Sequence, residues 1–173
     1  MRPYSVGKIN MINSIVFDMD GTIADLYSLP NWLERLRDSD PSAYLDCSPL
    51  VDMEQLDNLI ARYQAQGVAV EVVSWGAMGG SNDYLARTAI AKRQWLKRHL
   101  KSRLNAVYVV PYGTPKQSVI ADSATSILVD DNKSVRDQWS GETLDASNSK
   151  GMMNALTHLI HQLEQKAAQH GND

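Results

Sequence analysis

Ile15-Val16-Phe17-Asp18-Met19-Asp20-Gly21-Thr22 is the stretch on which the reading of this chain turns. An apolar run leads into two acids at i and i+2 and stops at a glycine. Alternation along an extended chain puts i and i+2 on the same side. Two carboxylates so placed repel each other unless a cation or a proton compensates them. The stretch therefore predicts a buried strand with an acidic site just beyond it, suited to a divalent metal and to phosphate chemistry.

Outward from that strand, the chain alternates between apolar runs and helical patterns. Residues 12–17, 68–73, 106–110 and 126–129 are rich in Val and Ile and lack clean alternation, as in a sheet covered on both faces. Residues 142–146 form a weaker fifth run. Residues 54–66 place Leu56, Leu59, Ile60 and Tyr63 on one stripe, and Gly67 supplies the stop. Residues 82–100 make a longer helix with Leu85, Ala89, Leu96 and Leu100 facing in. Residues 116–123 predict a short helix after Pro115. Residues 151–168 carry Met152, Leu156, Leu159, Ile160 and Leu163 at helical spacing, with Asn148 or Ser149 as the cap. A frayed tail is expected over 169–173. Strand and helix alternate, which argues for an α/β fold: a three-layer, Rossmann-like, doubly wound parallel sheet with right-handed crossovers. The whole chain, 1–173, reads as one domain.

Composition narrows the function classes. The chain has 173 residues, enough for one domain with a real core. Its net charge of −3 does not advertise nucleic-acid or membrane binding. Cys47 is the only cysteine, so no intramolecular disulfide can form, which suits a reducing cytoplasm. Residues 1–10 lack the apolar core of a signal peptide. No apolar run approaches the ~20 residues of a membrane span. The four histidines, His99, His158, His161 and His170, show no ligand spacing. Arg87 to Arg103 holds Lys92, Arg93, Lys97, Arg98, His99 and Lys101 alternating with inward apolar residues. That reads as a solvated helix face; the sharper reading is a surface for a phosphate-rich partner.

In parallel α/β sheets the ligand site lies beyond the carboxyl ends of the strands. Asp18, Asp20 and Thr22 follow the first strand, Ser74 and Trp75 the second, and Asp130 and Asp131 the fourth. Lys116 opens the segment before that fourth strand. Carboxylates, a hydroxyl and a lysine can thus share one rim. Each could do something plainer: an Asp-x-Asp-Gly turn, a serine closing a strand, a solvated lysine, an acid capping the next helix.

In this order the residues resemble the haloacid dehalogenase (HAD) superfamily. Asp18-Met19-Asp20-Gly21-Thr22 looks like its DxDGT motif, Ser74 its second motif, Lys116 its third and Asp130-Asp131 its acidic fourth, with Val129 where Gly often stands. The resemblance covers roughly residues 12–150. It implies a phosphatase-like member working through an aspartyl-phosphate. Phosphoryl transfer needs an in-line nucleophile, charge neutralisation and a proton for the leaving oxygen. Asp18 is the expected nucleophile and Asp20 the acid/base. Mg²⁺ is the expected cofactor, held by Asp18, by the Asp20 backbone carbonyl as in the family, and by one or both of Asp130 and Asp131. Ser74, Lys116 and Trp75 are expected among the phosphate-binding residues, with an anion nest around Met19, Gly21 and Thr22.

Residues 24–52 are expected to form a small cap or flap of one or two short helices. Family resemblance links light caps to macromolecular substrates or to closure by another subunit, so a homo-oligomer is among the expected partners. Tyr27 and Trp32 could instead close over a small phosphorylated molecule. Trp75 could stack on a ring, which favours a nucleotide and a nucleotidase activity. The alternatives are a phosphotransferase or mutase on the same scaffold, and a phosphate-binding regulatory module without turnover.

Overall fold

The computed structural model describes residues 12–170. The expectation of no signal peptide falls largely on residues outside that range, as does the end of the tail. Five strands form one parallel sheet: β1 (Ser14–Phe17), β4 (Ala69–Trp75), β5 (Ala106–Val110), β6 (Ser126–Asp130) and β7 (Glu142–Asp145), in the order β5-β4-β1-β6-β7. β1 is central, with Phe17 opposite Val72 on one side and Val129 on the other. Every residue of β1 is buried, which is why its sequence reads as a continuous apolar run. The strand order reverses at β1, so the sheet is doubly wound with its switch point beside the central strand.

Side-chain alternation divides the core into two layers. Ile15, Phe17, Val70, Val72 and Val129 pack on one face against α3 (Met53–Ala65) and α6 (Ser149–His170), through Leu56, Ile60, Met152 and Leu156. Val16, Val73 and Leu128 face the other way, onto Ile120, Val135 and Trp139. α5 (Lys133–Arg136) supplies Val135.

α4 (Asn82–His99) buries Tyr84, Thr88, Ala89, Ala91, Lys92, Trp95 and Leu96. Leu85 and Leu100, expected to face inward, are only half-buried. α3 begins at Asp52, whose carboxylate accepts from the amides of Glu54 and Gln55. α6 is capped by Asn148, whose side chain accepts from the Gly151 amide.

Two expectations are corrected. Residues 116–123 form no helix: Lys116–Ser118 and Ser123–Thr125 are separate 3₁₀ turns. Pro115 brings no side-chain cap, and the backbone tightens into single 3₁₀ turns at each end of the segment. The final helix runs to His170, past the expected start of a frayed tail at Gln169.

Between β1 and α3 a small ribbon, β2 (Ala24–Asp25) with β3 (Ser48–Pro49), brackets an insert of two short helices, α1 (Trp32–Arg37) and α2 (Ser42–Asp46). Leu26, Ala43 and Tyr44 of this segment pack with Tyr84 and Ala91 of α4. The insert therefore has its own small apolar seat on the body. Among the described residues no helix is long and apolar enough to cross a membrane.

Candidate active site

Asp18 is the first residue beyond β1, and Asp130 is the last of β6, the strand paired with it. Their side chains meet at a common partner. Lys116 Nζ donates to Asp18 Oδ1 and to Asp130 Oδ2, at 2.6 Å each. The lysine is buried, so the ion pairs are desolvated. Burial alone would lower the Lys116 pKa, but Asp18 and Asp130 raise it, and the ammonium stays charged.

The carboxylates are crowded. One ligand oxygen each from Asp18, Asp130 and Asp131 can be chosen so that all lie within 4.8 Å of one another. Burial, then the charge of Asp18, pushes both Asp130 and Asp131 above the ordinary carboxylate range. An all-oxygen set strained by its own repulsion fits a hard divalent cation such as Mg²⁺.

The two consecutive acids differ in spare capacity. Asp130 has a partner on each oxygen, taking Lys116 on Oδ2 and the Asn132 amide on Oδ1, while Arg136 donates to its carbonyl. Asp131 accepts a long bond from Thr22 Oγ1, at 3.5 Å, and its own backbone amide also bonds the carboxylate. Asp18 keeps Oδ2 without a protein partner among the described residues. Asp131 and Asp18 therefore have the freer oxygens.

Asp20 sits in a different environment from Asp18. Its Oδ2 accepts from Lys92 Nζ at 2.5 Å, while Oδ1 is buried with no hydrogen-bond partner among the described residues. Burial raises the Asp20 pKa, with Lys92 opposing and Asp18 reinforcing the rise. Lys92 also donates to Ser74 Oγ at 2.7 Å and to the Trp75 carbonyl at 2.8 Å. Ser74 lies within β4 rather than after it, and its side chain is fully buried.

Lys92 is the site residue that the sequence reading missed. Placed on the solvated face, it is in fact fully buried. Arg93, Lys97 and Arg98 do face solvent. The spacing held the signal: Tyr84, Thr88, Lys92 and Trp95 recur every three or four residues, which is the buried stripe of α4. Assigning every cation to the outside hid it.

Other expected residues take narrower places. The Gly21 amide donates to the Ala24 carbonyl at 2.8 Å, so it is committed within the loop rather than to an anion nest. Gly21 has φ +81°, and a Cβ there would meet Asp131 Oδ2 at 2.7 Å and Tyr27 Cε2 at 2.8 Å. Met19 is wholly buried, and its carbonyl accepts from Thr22, Ile23 and Ala24. Thr22 turns its hydroxyl to Asp131. Trp75 spends its indole N–H on the Thr114 carbonyl and lays its ring 5.3 Å from Lys116 Nζ, so it is a wall rather than a phosphate donor.

These groups open onto a cavity of about 500 Å³, within the range of small-molecule sites. Asp18, Asp20, Lys116 and Asp131 line its base. Tyr27, Trp32, Leu33 and Arg37 of the insert line it from one side, and Trp75, Met78 and Tyr112 from the body. Tyr27 packs edge-on against Trp32 at 5.1 Å, and Trp75 lies 4.9 Å from Tyr112.

The five-stranded parallel sheet in the order β5-β4-β1-β6-β7, with helices on both faces, is a HAD-like fold shared with a solved structure. A Mesorhizobium loti protein, provisionally described as a HAD-like phosphatase, has that fold: 14% identity, 88% of each chain covered, TM-score 0.56. The D,D-heptose 1,7-bisphosphate phosphatase of Burkholderia thailandensis is similar over 83% of this chain and 84% of its own, at 16% identity and a TM-score of 0.47. No protein-family model matches the chain. No curated protein matches it either.

Proposed function

We propose that the chain is a Mg²⁺-dependent phosphomonoester hydrolase. One observation carries this reading: two neighbouring acids have separate cations, Lys116 for Asp18 and Lys92 for Asp20. Two carboxylates in unlike environments are suited to unlike tasks. Asp18 is placed as the nucleophile, with Oδ2 unspent. Asp20, with its pKa raised and Oδ1 unpaired, is placed to hold and pass a proton.

In the first half-reaction Asp18 attacks phosphorus, the ester P–O bond breaks, and Asp20 protonates the departing oxygen. In the second, Asp20 takes a proton from water, the water oxygen attacks phosphorus, and phosphate leaves Asp18 restored. Lys116 holds Asp18 in place and offers positive charge to the phosphoryl oxygens. Asp18 and Asp131 would hold Mg²⁺, and Asp130 would support the site through Lys116. When bound, the ion supplies charge neutralisation on the phosphoryl group.

The cavity size and its aromatic walls favour a small substrate with a flat ring, such as a nucleoside monophosphate, over a macromolecular phosphate.

The test is phosphate release from a panel of phosphomonoesters with Mg²⁺. Asp18→Asn is expected to lower kcat by about 10⁴-fold or more. Asp20→Asn should cost on the order of 10²–10⁴-fold on esters with poor leaving groups. EDTA should silence the enzyme and Mg²⁺ restore it. Near-normal turnover by Asp18→Asn would overturn the mechanism.

A further inference from the structure

We propose that Lys92 is the positioning residue of this site: one buried ammonium aims both the Asp20 carboxyl and the Ser74 hydroxyl. The inference rests on the phosphatase reading above and extends it to a residue on α4.

An ammonium has three N–H donors. All three are used, on Asp20 Oδ2, Ser74 Oγ and the Trp75 carbonyl. The group has no solvent exposure, and Tyr44 presents its ring 4.5 Å from Nζ. Burying a cation is costly, and a well-packed apolar side chain would serve the core as well or better. What the lysine adds is direction.

For Asp20, tying down Oδ2 leaves Oδ1 as the working oxygen. That atom is buried, has no hydrogen-bond partner among the described residues, and belongs to a residue that lines the cavity. For Ser74, accepting a bond from Lys92 leaves its own O–H to donate. Among the described residues no protein acceptor takes that hydrogen. Lys92 thus sets which oxygen of the acid faces the leaving group and which way the serine donates. The bond to the Trp75 carbonyl fixes both to the end of β4.

Comparing two leaving groups tests this. A nitrophenyl ester departs as a stabilised anion and needs little protonation, whereas an alkyl ester needs the acid. Lys92→Met, near-isosteric and uncharged, is expected to lower kcat on an alkyl phosphate about 10²-fold or more and on p-nitrophenyl phosphate less than about 10-fold. Combined with Asp20→Asn, it should add little further loss on the alkyl ester, because the two act as a unit. Weakened inhibition by inorganic phosphate, matching that of Ser74→Ala, would report the serine arm. Equal losses on both esters in a protein of unchanged circular dichroism would overturn the proposal. Should Lys92→Met fail to fold, Lys92→Arg keeps the charge but not the three-bond geometry, and the same inequality must hold. A wild-type protein that releases phosphate from no member of the phosphomonoester panel would sink the phosphatase reading itself, whereas an Asp20→Asn variant that cleaves both esters normally would overturn the acid role of Asp20 and this proposal with it.

Discussion

Gly21 shows how tightly single residues are constrained here. Its positive φ disfavours an L side chain, and the two atoms a Cβ would strike are on Asp131 and Tyr27. Gly21→Ala is therefore expected to cost about 1–2 kcal/mol from the backbone alone. It should also push Asp131 from its place. A thermal-shift titration should show a weaker stabilisation by Mg²⁺ than in the wild type, and an unchanged response would argue against Asp131 as a ligand. At this scale the sequence was informative where the chemistry demands particular atoms: Asp18, Asp20, Lys116 and the Asp130-Asp131 pair all converge. It could not reveal that Asp130 has a short bond on each oxygen while the bond Asp131 takes from Thr22 is long. That difference depends on Lys116 and Asn132 reaching one carboxylate and not its neighbour.

Among the elements, α4 was legible as a helix but misjudged as a surface. Its cations were assigned together, although helical geometry turns Lys92 inward and Arg93 outward. The stretch after Pro115 forms two separate 3₁₀ turns instead of one helix, although the six- and five-residue helices α1 and α2 form without a side-chain cap, so length and capping alone do not explain it.

The insert's α2 is held by a local device. Asp40 accepts from the Ser42 amide at 2.9 Å and from its hydroxyl at 2.7 Å, and these bonds hold its carboxyl below the usual range. A carboxyl whose folded pKa is depressed contributes stability above its unfolded value, about 3.9, and loses it as pH falls through the folded value. The stability difference between wild type and Asp40→Asn should thus be flat at neutral pH and shrink below about pH 4. Denaturant melts across that range measure it. A gap that widens on acidification would contradict the sign.

Across the whole molecule, site and core are separable. Leu156 is buried in the layer between α6 and the sheet, and it is not among the residues lining the cavity. Leu156→Ala is expected to destabilise by about 2–5 kcal/mol through the lost apolar contact and the void it leaves. For a domain of this size each kcal/mol is worth about 2–4 °C of Tm. Below the transition, kcat should be unchanged; a matching fall in kcat would mean that the core layer governs the site geometry directly.

The sequence by itself determined the layered α/β architecture. Apolar strands covered on both faces leave a period and composition that a single chain displays. It also determined the identity of the acids at the strand ends, because chemistry at a carboxyl end requires those atoms. Tertiary structure alone decided which cation serves which acid. Lys92 is 72 residues from Asp20, and Lys116 is 98 residues from Asp18. Such pairings arise only when β4 and β6 flank β1 and bring their neighbouring segments over the strand ends. The cavity walls were decided in the same way, since an aromatic side chain in the sequence does not state which surface it will face.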